Sequence, residues 1–145
     1  MIGLIQRVKS ASVDVDEQRM AAIGSGILLL LGVEKGDTKE GAEKLIDRVL
    51  AYRIFSDDGG RMNHSLIDVK GGLLVVPQFT LAADTQKGLR PSFASAAPPD
   101  LGQELFAHAL SYAKQKHAMV GSGIFGADMQ VHLINDGPVT FHLKI

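Results

Sequence analysis

The sequence predicts a single mixed α/β domain over residues 1–145, with β-sheets in two layers covered by two main helices, a three-layer α/β/β arrangement. Three observations lead there. Strand-like apolar runs fill the first third of the chain and its end, while two segments between them switch to the 3.6-residue period of an amphipathic helix. No repeat, linker or charge block divides the 145 residues, a length that suits one domain. The strands are too many for one short sheet, hence the second layer.

The elements follow in order. "IGLIQRVKSASVDVD", from residue 2, alternates and is rich in β-branched residues; "RMAAI" continues it after a turn at Asp16-Glu17-Gln18, and "ILLLLGV" (27–33) is continuous enough for a buried strand. From Asp37 the period changes. "DTKEGAEKLIDRVLAYR" sets Ala42, Leu45, Ile46, Val49 and Leu50 on one face, with Asp37 and Glu40 at capping-box spacing, which predicts a helix from about 38 to 53. "RIFSDDGGRMNHS" reads as a short strand and a turn at Asp58-Gly59-Gly60. "GGLLVVPQFTLAADT" is apolar enough for a central strand but contains Pro77, which should end regular pairing and free the backbone groups of Gln78, Phe79 and Thr80. "RPSFASAAPPD" is an irregular connector. "DLGQELFAHALSYAKQKH" predicts a second helix with Leu101, Leu105, Ala109 and Tyr112 inward, weakened by Gly102. Two last strands, "MQVHLI" and "VTFHLKI", then flank Asn135 to Pro138.

Composition narrows the function classes. With 46% hydrophobic residues the chain can build a core, and with no cysteine it has no disulfide, thiolate metal site or cysteine nucleophile. Its longest apolar run, residues 26–33, falls far short of the roughly 20 residues that span a bilayer. The N-terminus lacks the apolar core of a signal peptide, so a cytoplasmic protein without a membrane partner is expected. A net charge of -1 argues against a broad polyanion-binding face but leaves local patches: Lys87 and Arg90 in "KGLR", with Lys35, Arg53 and Arg61 near glycines or element ends.

The five histidines show neither H-x-H nor H-E-x-x-H spacing, so no metal and no cofactor are expected. Asp57 and Asp58 read as a turn rather than a carboxylate pair. Asp84 and Asp128 are lone acids, and there is no G-x-S-x-G elbow. Thr80 could act as a nucleophile, though no base is visible beside it, or be an ordinary strand residue. A third option is main-chain catalysis, with the N–H groups of Gln78 to Thr80 donating to a carbonyl oxygen on which charge develops. Gly137-Pro138 is open in the same way, either a hairpin corner after Asn135-Asp136 or a shaped cis peptide with a use.

Six stretches, "IQRVKSASV" (5–13), "YRIFSD" (52–57), "VVPQFTLAADT" (75–85), "KGLRPSF" (87–93), "FGADMQV" (125–131) and "NDGPVT" (135–140), together resemble the D-aminoacyl-tRNA deacylase family in order and spacing along the whole chain. The resemblance implies an editing hydrolase that cleaves the ester joining a D-amino acid, or glycine, to the 3′ end of tRNA. Such enzymes rely on the RNA's own 2′-hydroxyl and backbone donors rather than a protein nucleophile. It implies a homodimer in which a Gly-cisPro motif enters the partner's active site and rejects L-aminoacyl groups. Carried over, Gly137 and Pro138 form that filter, and Arg7 helps to fix their loop. Gln78, Phe79 and Thr80 are the catalytic segment around the aminoacyl adenosine, with Met129 beside it. Tight confinement of RNA contact to the acceptor end, through few phosphates and residues such as Lys87 and Arg90, reconciles this activity with the acidic balance. One departure is Pro77, where many members have serine in an S-Q-F-T-L motif, so no serine hydroxyl acts there. The competing readings are a threonine-nucleophile esterase of small acyl substrates and a non-enzymatic dimeric metabolite-binding module.

Overall fold

The computed structural model describes residues 1–145. Strands β1 (Ile2–Val15), β2 (Gln18–Ile23) and β3 (Gly26–Gly32) precede helix α1 (Lys39–Ala51). A small pair, β4 (Phe55–Ser56) and β5 (Met62–His64), and the single turn α2 (Leu66–Val69) lead to β6 (Gly72–Pro77) and a 3₁₀ turn, Phe79–Ala82. Helix α3 (Pro99–Lys116), β7 (Val120–Ser122) and β8 (Gln130–Lys144) complete the chain.

The long strand β1 organises the sheet. Its first half pairs antiparallel with β3 (Ile2 opposite Gly32, Val8 opposite Gly26), its second half pairs with β2, and β8 runs antiparallel along its other edge. β6 joins β3 in parallel and β7 joins β6 in parallel. Because one strand serves β3 with one half and β2 with the other, the sheet curls over itself. The β layers expected from the sequence are present as one mixed, nearly barrel-like sheet folded over itself, with β4–β5 as a second small sheet.

Alternation along β3 and β6 sends side chains to two cores. Ile27, Leu29, Leu31, Leu73 and Val75 face the helices and meet Ala42, Leu45, Ile46, Val49 and Leu50 of α1, all five of the residues the helical period selects. Leu28, Leu74 and Val76 point the other way, against Val8, Ala11 and Val13 of the curled layer. Glycine shapes the β3–β6 junction: a Cβ on Gly26 would stand 1.9 Å from the Gly72 carbonyl oxygen.

Several local expectations need correction. Thr38, not Asp37, caps α1, accepting from the Gly41 N–H, while Asp37 accepts from the Glu34 N–H and the terminal ammonium. The buried face of α3 comprises Gly102, Leu105, Phe106, Ala109 and Ala113. Leu101 and Tyr112 are only half-buried. Tyr112 instead donates to Asp47, and Lys39–Glu104 and His108–Glu43 contacts join the same two helices near the surface. The last two strands are one: β8 runs unbroken in direction from Gln130 to Lys144, with Gly137-Pro138 in a bulge instead of a hairpin corner.

Glu34, just after β3, accepts from Lys144 Nζ at 2.8 Å. Burial alone would raise its carboxyl, but the hydrogen bonds from Lys144 and the terminal ammonium outweigh burial and hold it below its ordinary 4.5. A carboxyl depressed in the folded state contributes stability above its unfolded value, lost as pH falls through the folded one. Urea unfolding followed from neutral pH downward should therefore lose stability below pH 4.5 more steeply in the native chain than in Glu34→Gln. In the helix core, Leu45 is fully buried. Leu45→Ala should lower the unfolding free energy by about 2–5 kcal/mol at neutral pH, read from the shift in urea midpoint.

Candidate active site

Pro77 ends β6 opposite Leu31. Its missing N–H falls on the β7 side, where Leu73 donates to Met119, and the last bond of the β3–β6 pair is made by the Gln78 N–H, which donates to the Leu31 carbonyl at 2.8 Å. The chain then tightens into the 3₁₀ turn, in which Leu81 N–H donates to Gln78 and Ala83 N–H to Thr80. The N–H groups of Phe79 and Thr80 meet no protein acceptor, as the first donors of a helical turn do not. Both residues are exposed. The expectation of free donors from Gln78 onward is thus corrected by one residue: Gln78 is spent on the sheet and two N–H groups remain. The Gln78 side chain turns forward and Nε2 donates to Thr80 Oγ1 at 2.5 Å. No histidine or carboxylate contacts that hydroxyl.

Beneath this turn lies a cavity of about 270 Å³, lined by Leu31 of β3 and Val33 just after it, Pro77, Gln78 and Phe79, and Pro99, Gly102 and Phe106 of α3 with Phe125. Gln78 carries its one polar side chain. The size matches the small end of ligand pockets, roughly 300–1,000 Å³, and suits one flat ring system. Gly102, unfavourable for a helix interior, has a reason here: a Cβ would stand 3.1 Å from Cζ of Phe125, whose ring covers bare backbone. Phe93 packs against Phe79 with centroids 5.2 Å apart, tying the connector before α3 to the lip of the cavity. Met129 and Pro77 both flank Gly123. The Met129 Sδ accepts from the Ile124 N–H at 3.4 Å and occupies space that a side chain at Gly123 would fill, so it borders the site without lining the cavity.

The Gly-Pro segment is built separately. Between the pairs Gln6–Thr140 and Val8–Asn135, the single residue Arg7 opposes Asp136, Gly137, Pro138 and Val139. Asn135 closes the base of this bulge like an extra backbone unit: Oδ1 accepts from the Val139 N–H at 2.7 Å, and Nδ2 donates to the Val139 carbonyl and Thr140 Oγ1. Arg7 Nε donates to the Asp136 carbonyl at 2.8 Å and Nη1 to Ile54 at 2.6 Å, fixing the loop to the start of the β4 segment. The Gly137-Pro138 peptide is cis, and both residues are exposed. Only glycine fits at 137, where a Cβ would come 2.6 Å from the Val139 nitrogen.

The structure does not bring these two parts together within one chain. Arg7 opposes Ile27, four residues along β3 from Leu31, so the bulge lies roughly 13 Å along the strand direction from the cavity and across β1. Elsewhere, Asp57 accepts from the Gly59 and Arg61 N–H groups as a turn residue. The Arg61 hydrogen bond, opposed by slight burial and aided by Gly59, holds its carboxyl below the usual carboxylate range. Nowhere do three His, Asp or Glu side chains converge.

Fold and site define a small single-domain α/β protein with an apolar pocket bordered by main-chain donors instead of an acid–base pair. Residues 4–144 match the family model described as D-Tyr-tRNA(Tyr) deacylase, and the chain belongs to that family. Curated relatives named D-aminoacyl-tRNA deacylase include one from Cellvibrio japonicus, 59% identical over all of this chain and 99% of its own, and one from Pseudomonas putida, 60% identical over the whole of both. A solved structure described as c-Myc DNA unwinding element binding protein superposes with a TM-score of 0.95 at 36% identity, covering 100% of this chain and 99% of the other. A probable eukaryotic D-amino acid tRNA deacylase shares the fold, with a TM-score of 0.83 at 17% identity over 99% and 98% of the two chains.

The bulge clamp is directly testable. Asn135→Ala removes an acceptor worth about 0.5–1.5 kcal/mol, so the Val139 amide should exchange with deuterium roughly 2- to 12-fold faster while amides shared by β1 and β3 keep their rates.

Proposed function

We propose that this chain hydrolyses the ester linking a D-amino acid, or glycine, to the 3′-terminal adenosine of tRNA, and that it rejects L-aminoacyl esters. Family membership and the names of its 59–60% identical relatives support this reading. The observation that carries it is the pair of free N–H groups at Phe79 and Thr80, on the lip of an apolar cavity with no side-chain base nearby.

An aminoacyl ester needs little from the protein beyond placement and charge stabilisation. With the terminal base against Phe79, Phe106 and Phe125, the acyl carbonyl lies at the 3₁₀ turn. Water adds its oxygen to the carbonyl carbon, and the developing oxyanion accepts from Phe79 and Thr80 N–H. The C–O bond to the ribose then breaks; one proton of the water passes, through the neighbouring 2′-hydroxyl, to the leaving 3′-oxygen, and the other is released to solvent from the new carboxyl group. The products are a free amino acid and uncharged tRNA. Preorganised donors of this kind each contribute about 10²- to 10³-fold in rate, and holding the ester against them supplies the rest. Gln78 orients the turn through its bond to Thr80, and Met129 flanks Gly123 beside Pro77.

Stereochemistry is set by exclusion. D and L esters carry identical groups, so attraction discriminates poorly, while a rigid obstacle where one side chain must go discriminates well. The Gly137 and Pro138 carbonyls, held by Arg7 and Asn135, are that obstacle. Since they lie away from their own chain's cavity, a second copy supplies them, which makes the working unit a homodimer with the bulge of one subunit in the site of the other. Glycine has no side chain to exclude and passes. A cytoplasmic location, where tRNA is charged, follows from the same reading.

Purified protein should release D-tyrosine and glycine from their tRNA esters and leave L-tyrosyl-tRNA near its uncatalysed rate; equal rates for D and L esters contradict the exclusion mechanism. Thr80→Ala keeps the backbone donor, so kcat should stay within about tenfold of the native value, whereas a lost nucleophile costs about 10⁶-fold.

A further inference from the structure

The connector between the 3₁₀ turn and α3 is pinned at two levels. Asp84 and Ser92 exchange backbone hydrogen bonds at 2.8 and 3.0 Å, closing a loop at whose far end stand Lys87, Leu89 and Arg90, and Phe93 then anchors it on Phe79 at the cavity lip. Its returning limb is stitched to the segment after β3: Lys35 N–H donates to Ser95 and Ala97 N–H to Val33. Val33 and Ala97 line the cavity. Lys35 on one side and Lys87 with Arg90 on the other are therefore tied by short backbone paths to its rim.

All three cations are exposed and none is paired with an acid. The nearby carboxylates are committed elsewhere. Glu34 binds Lys144 and the terminal ammonium, Asp37 binds that ammonium and the Glu34 N–H, and Asp84 accepts from the Gln86 N–H. Asp100, at the amino end of α3, faces that helix's own dipole. In a chain of net charge -1, the rim thus carries three exposed cations that make no ion pair. Leu89, wholly exposed at the loop tip between two cations, is available for an apolar contact beside them.

We propose that Lys35, Lys87 and Arg90 form a phosphate-binding collar that grips the single-stranded backbone leading to the nucleoside in the cavity, with Leu89 packing on an unstacked base or ribose. This deepens the deacylase reading and rests on it for the identity of the terminal nucleoside. Long flexible cations at a loop rim suit phosphates whose spacing varies, and three contacts to a single strand give a salt slope near -2, because each phosphate contributes about -0.7. The collar also accounts for RNA binding by a protein without a broad basic face.

The test compares the native chain with K35Q/K87Q/R90Q, and with K35R/K87R/R90K as the charge-preserving control. Fluorescence anisotropy at several salt concentrations, with an uncharged single-stranded oligonucleotide ending in CCA and with an acceptor-stem hairpin bearing the same end, reads the contacts without requiring catalysis. The collar predicts that the glutamine variant loses about 2 from the slope on both ligands, and that the control keeps it. It also predicts a 10- to 100-fold higher KM on D-aminoacyl-tRNA at unchanged kcat, with native turnover of a phosphate-free D-aminoacyl adenosine ester. An unaltered slope, a slope change confined to the hairpin's duplex, no binding of either ligand by the native chain, or equal loss on the phosphate-free ester each overturns it. If the native chain binds both ligands with the expected slope but hydrolyses no D-aminoacyl-tRNA, the deacylase reading falls and the collar stands.

Discussion

The site depends on where one strand stops. Pro77, whose nitrogen faces the β7 side, leaves no donor there; the β3–β6 pairing ends with the Gln78 N–H on Leu31, where the chain tightens into the 3₁₀ turn, and the next two N–H groups emerge as that turn's first donors. Water reaches them, so they cost little in the resting protein, and the parallel pair behind them keeps them still. Had the ladder with β3 continued through residue 80, Thr80 would have donated to it as Gln78 does, and the adjacent pair of donors at the cavity lip would be lost.

Rigidity comes from the curled sheet. β1 lends one half to β3 and the other to β2 while β8 follows its whole length, so both functional segments hang from the same strand neighbourhood. The 3₁₀ turn sits on the helix-covered side of the β3–β6 pair. The Gly-Pro bulge sits on the far edge, clamped by Arg7, itself a β1 residue, and by Asn135 of β8. Both are positioned by backbone hydrogen bonds and by polar side chains fixed in hydrogen bonds, Gln78 at the turn and Arg7 with Asn135 at the bulge, a suitable construction for the discrimination by shape proposed above.

Much of this was legible in residues. The period of Ala42, Leu45, Ile46, Val49 and Leu50 marks α1, and the interruption at Pro77 marks the site, because period and missing N–H are local properties. What was not legible depends on the partner strand. Asn135-Asp136-Gly137-Pro138 has the composition of a hairpin corner, and only the length of β1 opposite shows that the strand continues past a bulge. The extra donor at Gln78 looked free because its acceptor, Leu31, lies 47 residues earlier (78 − 31). Gly102 looked like a weakness in α3; it is the space that Phe125 needs. The rim cations were visible as isolated basic residues, but their common relation to one cavity needed the Lys35–Ser95 and Phe79–Phe93 contacts.

A tetrahedral phosphonate analogue of a D-aminoacyl adenosine ester, added to isotopically labelled protein, places a stable oxyanion where the reaction forms a fleeting one. Amide proton resonances report hydrogen-bond donation directly. The account predicts marked downfield shifts for Phe79 and Thr80, with Gln78, already bound to Leu31, almost unmoved. Saturating ligand that leaves the Phe79 and Thr80 amides unshifted contradicts catalysis by the main chain at this turn.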